Sequence, residues 1–149
     1  VIDRLECQET LYRITPWGLK FYICLLMEGK SNQAILLQNI NELFEAANFN
    51  VQVDHSTNYK PTKGNLMKYE KIKSKLFDEN FDGIMDADYI KTFKCIDRNF
   101  MQISIMDLIQ QHISLFENLT KSPNSSIAQS ASLLVNSIHN PKKYEFGKL

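Results

Sequence analysis

Apolar and polar residues alternate from Val1 to Thr15, where β-branched and aromatic types are frequent, and Gln8-Glu9-Thr10 supplies a turn between Ile2-Cys7 and Leu11-Ile14. A period of two with a polar break predicts a short β-hairpin over residues 1–15. The pattern then lengthens. Thr15-Pro16 has the form of a helix start, with threonine as cap and proline at the first helical position, and a helix from Trp17 to about Glu28 is expected. Within it the apolar run Phe21 to Met27 includes Cys24, for which a small buried side chain is the simplest reading. Gly29 suits a helix-ending left-handed backbone, and Ser31 is placed to cap the next helix. There Ile35, Leu36, Ile40, Leu43, Phe44 and Ala47 fall on one face, while Gln38, Asn39, Asn41 and Glu45 lie elsewhere. Such a helix should pack against the first.

Residues 48–64 carry Asn, Ser, Thr, Pro and Gly with little periodicity apart from the alternating piece Phe49-Asn-Val-Gln-Val53, and read as a long loop. A loop of that length inside a compact domain points to mobility or function. A third helix is expected from about Asn65 to Phe77, with Leu66, Tyr69, Ile72 and Leu76 inward and Lys68, Lys71, Lys73 and Lys75 outward. The acidic stretch Asp78 to Asp88 follows, then a short helix from about Ala87 to Ile96. Ser104 with Asp107 three residues later has the form of a capping box opening a helix to about Leu119. Ser122-Pro123 opens the next, with Ile127, Ala128, Ala131, Leu134, Val135 and Ile138 inward. Asn140-Pro141 stops it, and the end of the chain, residues 141–149, reads as a frayed tail from Lys142 on. The expected fold is mainly α: about six helices in one compact domain spanning residues 1–149, with a short N-terminal β-hairpin and a helical hairpin at residues 104–138.

Composition narrows the function classes. The 149 residues are 44% hydrophobic, enough for one domain to bury its own core. Lys+Arg and Asp+Glu both number 17, so the formal charge is zero, whereas nucleic-acid and membrane-surface binders usually carry a basic excess. No apolar stretch approaches the roughly 20 residues needed to span a bilayer. Asp3, Arg4 and Glu6 interrupt any apolar signal-like run at the start, so an intracellular, cytoplasmic setting is expected. Cys7, Cys24 and Cys95 are odd in number and form no C-x-x-C pair, and read as reduced thiols. There is no G-x-S-x-G, phosphate loop, H-E-x-x-H or glycine-rich fingerprint, so no catalytic residues are assigned and an enzyme is not expected. Glu42, Glu45, Asp54 and His55 are carboxylate and imidazole groups whose meeting in space the sequence leaves open.

The most specific local signal runs from Phe77 to Ile90. Asp78, Asn80 and Asp82 are spaced so that three oxygen-bearing side chains can converge on a hard cation, with Gly83 following them. This stretch resembles the EF-hand calcium loop, and the resemblance covers about residues 64–96. It implies Asp78, Asn80, Asp82 and Asp86 as ligands, with the Ile84 backbone carbonyl, and calcium as the cofactor to consider. Tyr89 stands where the family has its bidentate glutamate, which removes two oxygen ligands and a negative charge. The same aspartates can serve instead as turn and N-cap residues of an ordinary helix-loop-helix.

Two looser likenesses complete the reading. Leu11-Tyr-Arg-Ile-Thr-Pro-Trp-Gly-Leu-Lys-Phe21 is similar to the wing strand and following helix of a winged-helix domain, whose groove-entering helix-turn-helix would lie before Val1. In that case Lys60, Lys63, Lys68, Lys71, Lys73 and Lys75 are the candidate nucleic-acid contacts. The stretch Asn124 to Val135 is similar to one helix of an armadillo or HEAT unit, although no second copy occurs and an ordinary helical hairpin explains it equally well. The function expected from these features is a non-enzymatic, regulatory helical module with a protein partner, contacted through its apolar helix faces and the 48–64 loop. Cation sensing and nucleic-acid regulation are the alternatives.

Overall fold

The computed structural model describes residues 6–7, 10–11, 15–53, 63–64, 67 and 98–144. Apart from residue 67, the expected helix at 65–77 lies outside those residues, as do the expected helix at 87–96, the acidic stretch with Asp78, Asn80, Asp82, Gly83, Ile84, Asp86 and Tyr89, and Asp54, His55, Lys60, Lys68, Lys71, Lys73 and Lys75.

The described chain is mainly helical, as expected. Its helices are α1 (Thr15–Glu28), α2 (Gln33–Val53), α3 (Arg98–Gln111), α4 (Ile113–Leu119) and α5 (Ser125–His139). Of the N-terminal hairpin, the described part is a two-residue antiparallel ladder in which β1 (Glu6–Cys7) faces β2 (Thr10–Leu11), Glu6 opposite Leu11 and Cys7 opposite Thr10. These four residues are too few to establish a hairpin over residues 1–15, and Thr10 pairs instead of turning.

The tight connection between α1 and α2 is written in local chemistry. Gly29 stands at φ 67°, a left-handed backbone that side chains disfavour, and its N–H donates to the Leu26 carbonyl. Gln33 Nε2 donates to the same carbonyl at 3.1 Å, so the first residue of α2 closes the end of α1. The cap of α2 is Asn32, whose Oδ1 accepts from the Ile35 N–H, and not the expected Ser31. Both residues can accept, but Asn32 is the one immediately before the helix.

Helix α2 is the axis of the core. It packs against α1, α3 and α5, while α4 lies against α5. Its buried residues Leu36, Leu37, Ile40, Leu43, Phe44, Ala46, Ala47 and Val51 occupy about half of its circumference. All of them but Val51 meet Leu19, Tyr22, Ile23 and Leu26 of α1, Ile105 and Ile109 of α3, Phe116 of α4, and Ala131, Leu134 and Ile138 of α5 in one cluster. Ile35, expected inward, is 51% exposed: it lies in the first turn of α2, before the packed stretch begins at Leu36.

Three boundaries differ from the expectation. The loop expected over residues 48–64 does not begin at Asn48, because α2 continues to Val53. Two Asn, two Val, one Phe and one Gln at 48–53 together disfavour a helix by roughly 3 kcal/mol relative to alanine. Tertiary contacts offset this: Asn48 and Val51 are buried, and Asn48 and Gln52 both donate to the Lys142 carbonyl at 2.8 Å. The same bonds hold residues 142–144 against α2, where a frayed tail was expected.

The single helix expected over residues 104–119 is two helices. Helix α3 starts at Arg98, which leaves Ser104 and Asp107 inside it with no start to cap. The chain breaks at His112, where φ is −107° and ψ 14°, and its ring Nδ1 lies 2.8 Å from the Leu108 carbonyl. Ile105, Ile109 and Phe116 are all fully buried at helical spacing, so the apolar period runs straight through the break. Finally, α5 begins two residues later than Pro123. Asn124 is its cap, accepting from the Ser126 and Ile127 N–H groups, while Ser122 Oγ accepts from the Asn124 N–H. The stop at Asn140 is as expected.

A matched pair of truncations tests the central place of α2. Leu37→Ala, in the fully buried centre, should destabilise by about 2–5 kcal/mol in urea unfolding. Leu133→Ala, on the exposed side of α5, should change stability by less than about 0.5 kcal/mol.

Candidate functional site

Helix α1 has two unlike sides. Leu19, Tyr22, Ile23 and Leu26 are buried against the core. The run Phe21 to Met27 is nearly all apolar, so once the core side is filled the remaining side chains have to face away from it. Phe21 is 59% and Met27 64% exposed, and Cys24, three residues from each, is exposed between them. At helical spacing these three share one outward arc, and the half-buried Lys20 and the exposed Glu28, four residues to either side of Cys24, lie within it. The thiol expected in the core is therefore on the surface. A run without polar residues has no visible period, and the sequence could not show which side it would turn outward.

Other exposed apolar groups are scattered. Ile35 opens α2, and Leu133 sits on α5 among the exposed Gln129, Ser132 and Asn136. Single apolar side chains of this kind are ordinary on protein surfaces, whereas several on one helix face can form a patch. Burying a Phe or a Met side chain fully contributes about 1.5–3 kcal/mol, so the α1 arc has the capacity to hold a second apolar surface.

The residues considered for chemistry are not brought together among the described ones. Glu42 and Glu45 are exposed on α2; Glu45 Oε1 accepts from Asn41 Nδ2 and, across to α5, from Ser137 Oγ, a structural use of the carboxylate. His139 Nε2 lies 3.5 Å from Glu117 Oε1 on the exposed side of the α4–α5 pair. Lys63 is exposed and is the one described member of the lysine set. Among the described residues no three His, Cys, Asp or Glu side chains are grouped to hold a metal ion, and no helix is long and apolar enough to cross a membrane.

Among the described residues two titrating groups are shifted. Burial pushes the Tyr22 phenol up, and its hydroxyl oxygen has no hydrogen-bond partner among the described residues. Partial desolvation raises the carboxyl of Asp107 on α3. In both the shift comes from burial and not from a paired group of opposite demand, the pairing that marks acid–base machinery. Searches against protein-family models, curated proteins and solved structures find no match to this chain.

The buried phenol generates a prediction. Because its ionisation is harder in the folded chain, stability is fully present below about pH 10, the unfolded value, and falls as the pH rises through the folded one. Tyr22→Phe removes a buried hydroxyl without a partner and should leave stability at neutral pH unchanged or raise it, by up to roughly 1–3 kcal/mol. Urea titrations at neutral pH and at pH above 10 should show the wild type losing stability more steeply than the variant; equal slopes would contradict it.

Proposed function

We propose that this chain is a non-enzymatic helical module that binds a protein partner through the outward face of α1. The observation that carries this reading is the exposed apolar arc of Phe21, Cys24 and Met27 on a helix whose other side is anchored in the core. Aromatic and methionine side chains at a surface are the types that interfaces concentrate at their centres. A rigid helix presents them with little conformational entropy to lose on binding. Residues 48–53, first expected to belong to a binding loop, are part of α2 and are committed to the fold instead.

Cys24 makes the face addressable. With Cys7 and Cys95 replaced by Ser, a photo-activated crosslinker on Cys24 should trap discrete proteins from the native cell extract. Phe21→Ser combined with Met27→Ser should abolish those adducts and leave the thermal midpoint within a few degrees of the parent. An adduct pattern indifferent to the double substitution would refute the α1 reading.

A second reading rests on the sequence of the acidic stretch. Asp78, Asn80, Asp82, Gly83 and Asp86 retain the spacing of a calcium loop. With Tyr89 in the twelfth place, the affinity should fall in the weak range, roughly 10⁻⁴–10⁻³ M. Calorimetric titration with calcium should then give a binding heat that Asp78→Asn with Asp82→Asn removes. No heat and no shift of the thermal midpoint at millimolar calcium would eliminate this alternative.

A further inference from the structure

The outward arc of α1 is ordered about its centre. Cys24 stands in the middle, Phe21 and Met27 lie three residues to either side of it, and Lys20 and Glu28 four residues to either side. With about 100° and 1.5 Å per residue, Phe21 and Met27 fall about 60° from Cys24 on opposite edges of the arc. Lys20 and Glu28 fall about 40° from it, also on opposite sides, and about 12 Å apart along the axis. One end of the arc is therefore basic, the other acidic, and the middle apolar.

Turned end for end about a two-fold axis through Cys24, such an arc meets its own complement. In an antiparallel pair of α1 helices, each residue before Cys24 faces the residue equally far after it in the other copy, and every contact occurs twice. Phe21 then faces Met27, an aromatic ring against a polarizable thioether, and Lys20 faces Glu28. A parallel pair would set Lys20 against Lys20 and Glu28 against Glu28, so the charges select the antiparallel arrangement. Lys20 has an interaction within its own chain as well, and an ammonium with three N–H donors can take a further acceptor. Lys+Arg and Asp+Glu both number 17, so two whole copies approach without net repulsion.

We infer that the occupant of the α1 face is a second copy of this chain, bound antiparallel about a two-fold axis at Cys24. The inference rests on the reading of α1 as a protein-binding face and names its partner. A contact centred on one helix of each copy is at the small end of specific interfaces, which puts the affinity at roughly 1–100 μM. Below that range the chain is a monomer with the α1 face open. Above it, pairing covers Phe21 and Met27 and sets the two Cys24 thiols opposite each other.

Sedimentation velocity of the full chain across that range tests the pairing, with a short bismaleimide joining Cys24 to Cys24 in the Cys7→Ser, Cys95→Ser background. Lys20→Glu and Glu28→Lys each replace two opposite-charge contacts by two like-charge ones and should weaken self-association by about tenfold. An equimolar mixture of the two variants has opposite charges at both ends again and should associate within about threefold of the wild type. Mixing does not repair a misfolded chain, so this recovery separates charge from damage. A wild type that stays monomeric about tenfold above the expected range, or an association that both charge reversals leave unchanged, overturns the inference. If the chain is monomeric while Cys24 still traps other proteins from the extract, the second copy is excluded and the α1 reading stands. If nothing is trapped either, both fail.

Discussion

The burial of α2 is the constraint on which the rest of the described structure depends. A helix that is apolar around about half of its circumference has to be enclosed from several sides, and α1, α3 and α5 do so. Each enclosing helix can then spend its apolar stripe on α2 and present its remaining side to solvent. Helix α4 joins at second hand, through α5 and through Phe116, which reaches the same cluster. The polar devices serve this arrangement. Gly29 and Gln33 bring α1 back onto α2 through a short turn, and Asn124 starts α5 at the point from which Ser130, Ala131 and Leu134 can reach α2.

One consequence concerns α1. The enclosing role takes Leu19, Tyr22, Ile23 and Leu26, yet the sequence continues apolar around the helix to Phe21, Cys24 and Met27. Packing against α2 gives no reason for that second set. The excess over what the described helices require is what directs the functional reading to this face. A second consequence concerns the far end of α2, where Asn48, Asn50 and Val51 are still buried and hydrogen bonds of the Asn48 and Gln52 side chains with residues 142–144 add to the packing.

Much of the helical framework was legible in the sequence, and the failures have physical reasons. Leu36, Ile40, Leu43, Phe44 and Ala47 announced the inner face of α2 because polar residues separated them, and Ala131, Leu134 and Ile138 did the same for α5. The side of α1 was hidden because a continuously apolar run has no period. The division of α3 from α4 was hidden because the apolar spacing crosses His112 unbroken. Residues 48–53 read as a loop from local pattern because their partners lie some 90 residues away, at residues 142–144, and local pattern carries no trace of them. Of the residues singled out for chemistry, the acidic stretch was visible as spacing alone. The α1 arc could not be found that way, since only the folded core reveals which of its apolar residues are left over.

The exposed face of α1 is the central claim, and the reactivity of Cys24 measures it directly. In the chain with Cys7 and Cys95 replaced by Ser, the rate of thiol modification by a small neutral reagent can be compared between native and fully denatured protein. An uncovered α1 face gives a native rate within a few-fold of the denatured one. A native rate slowed by orders of magnitude, and restored only by unfolding, would mean that the face is covered within the chain itself and is not available to a partner.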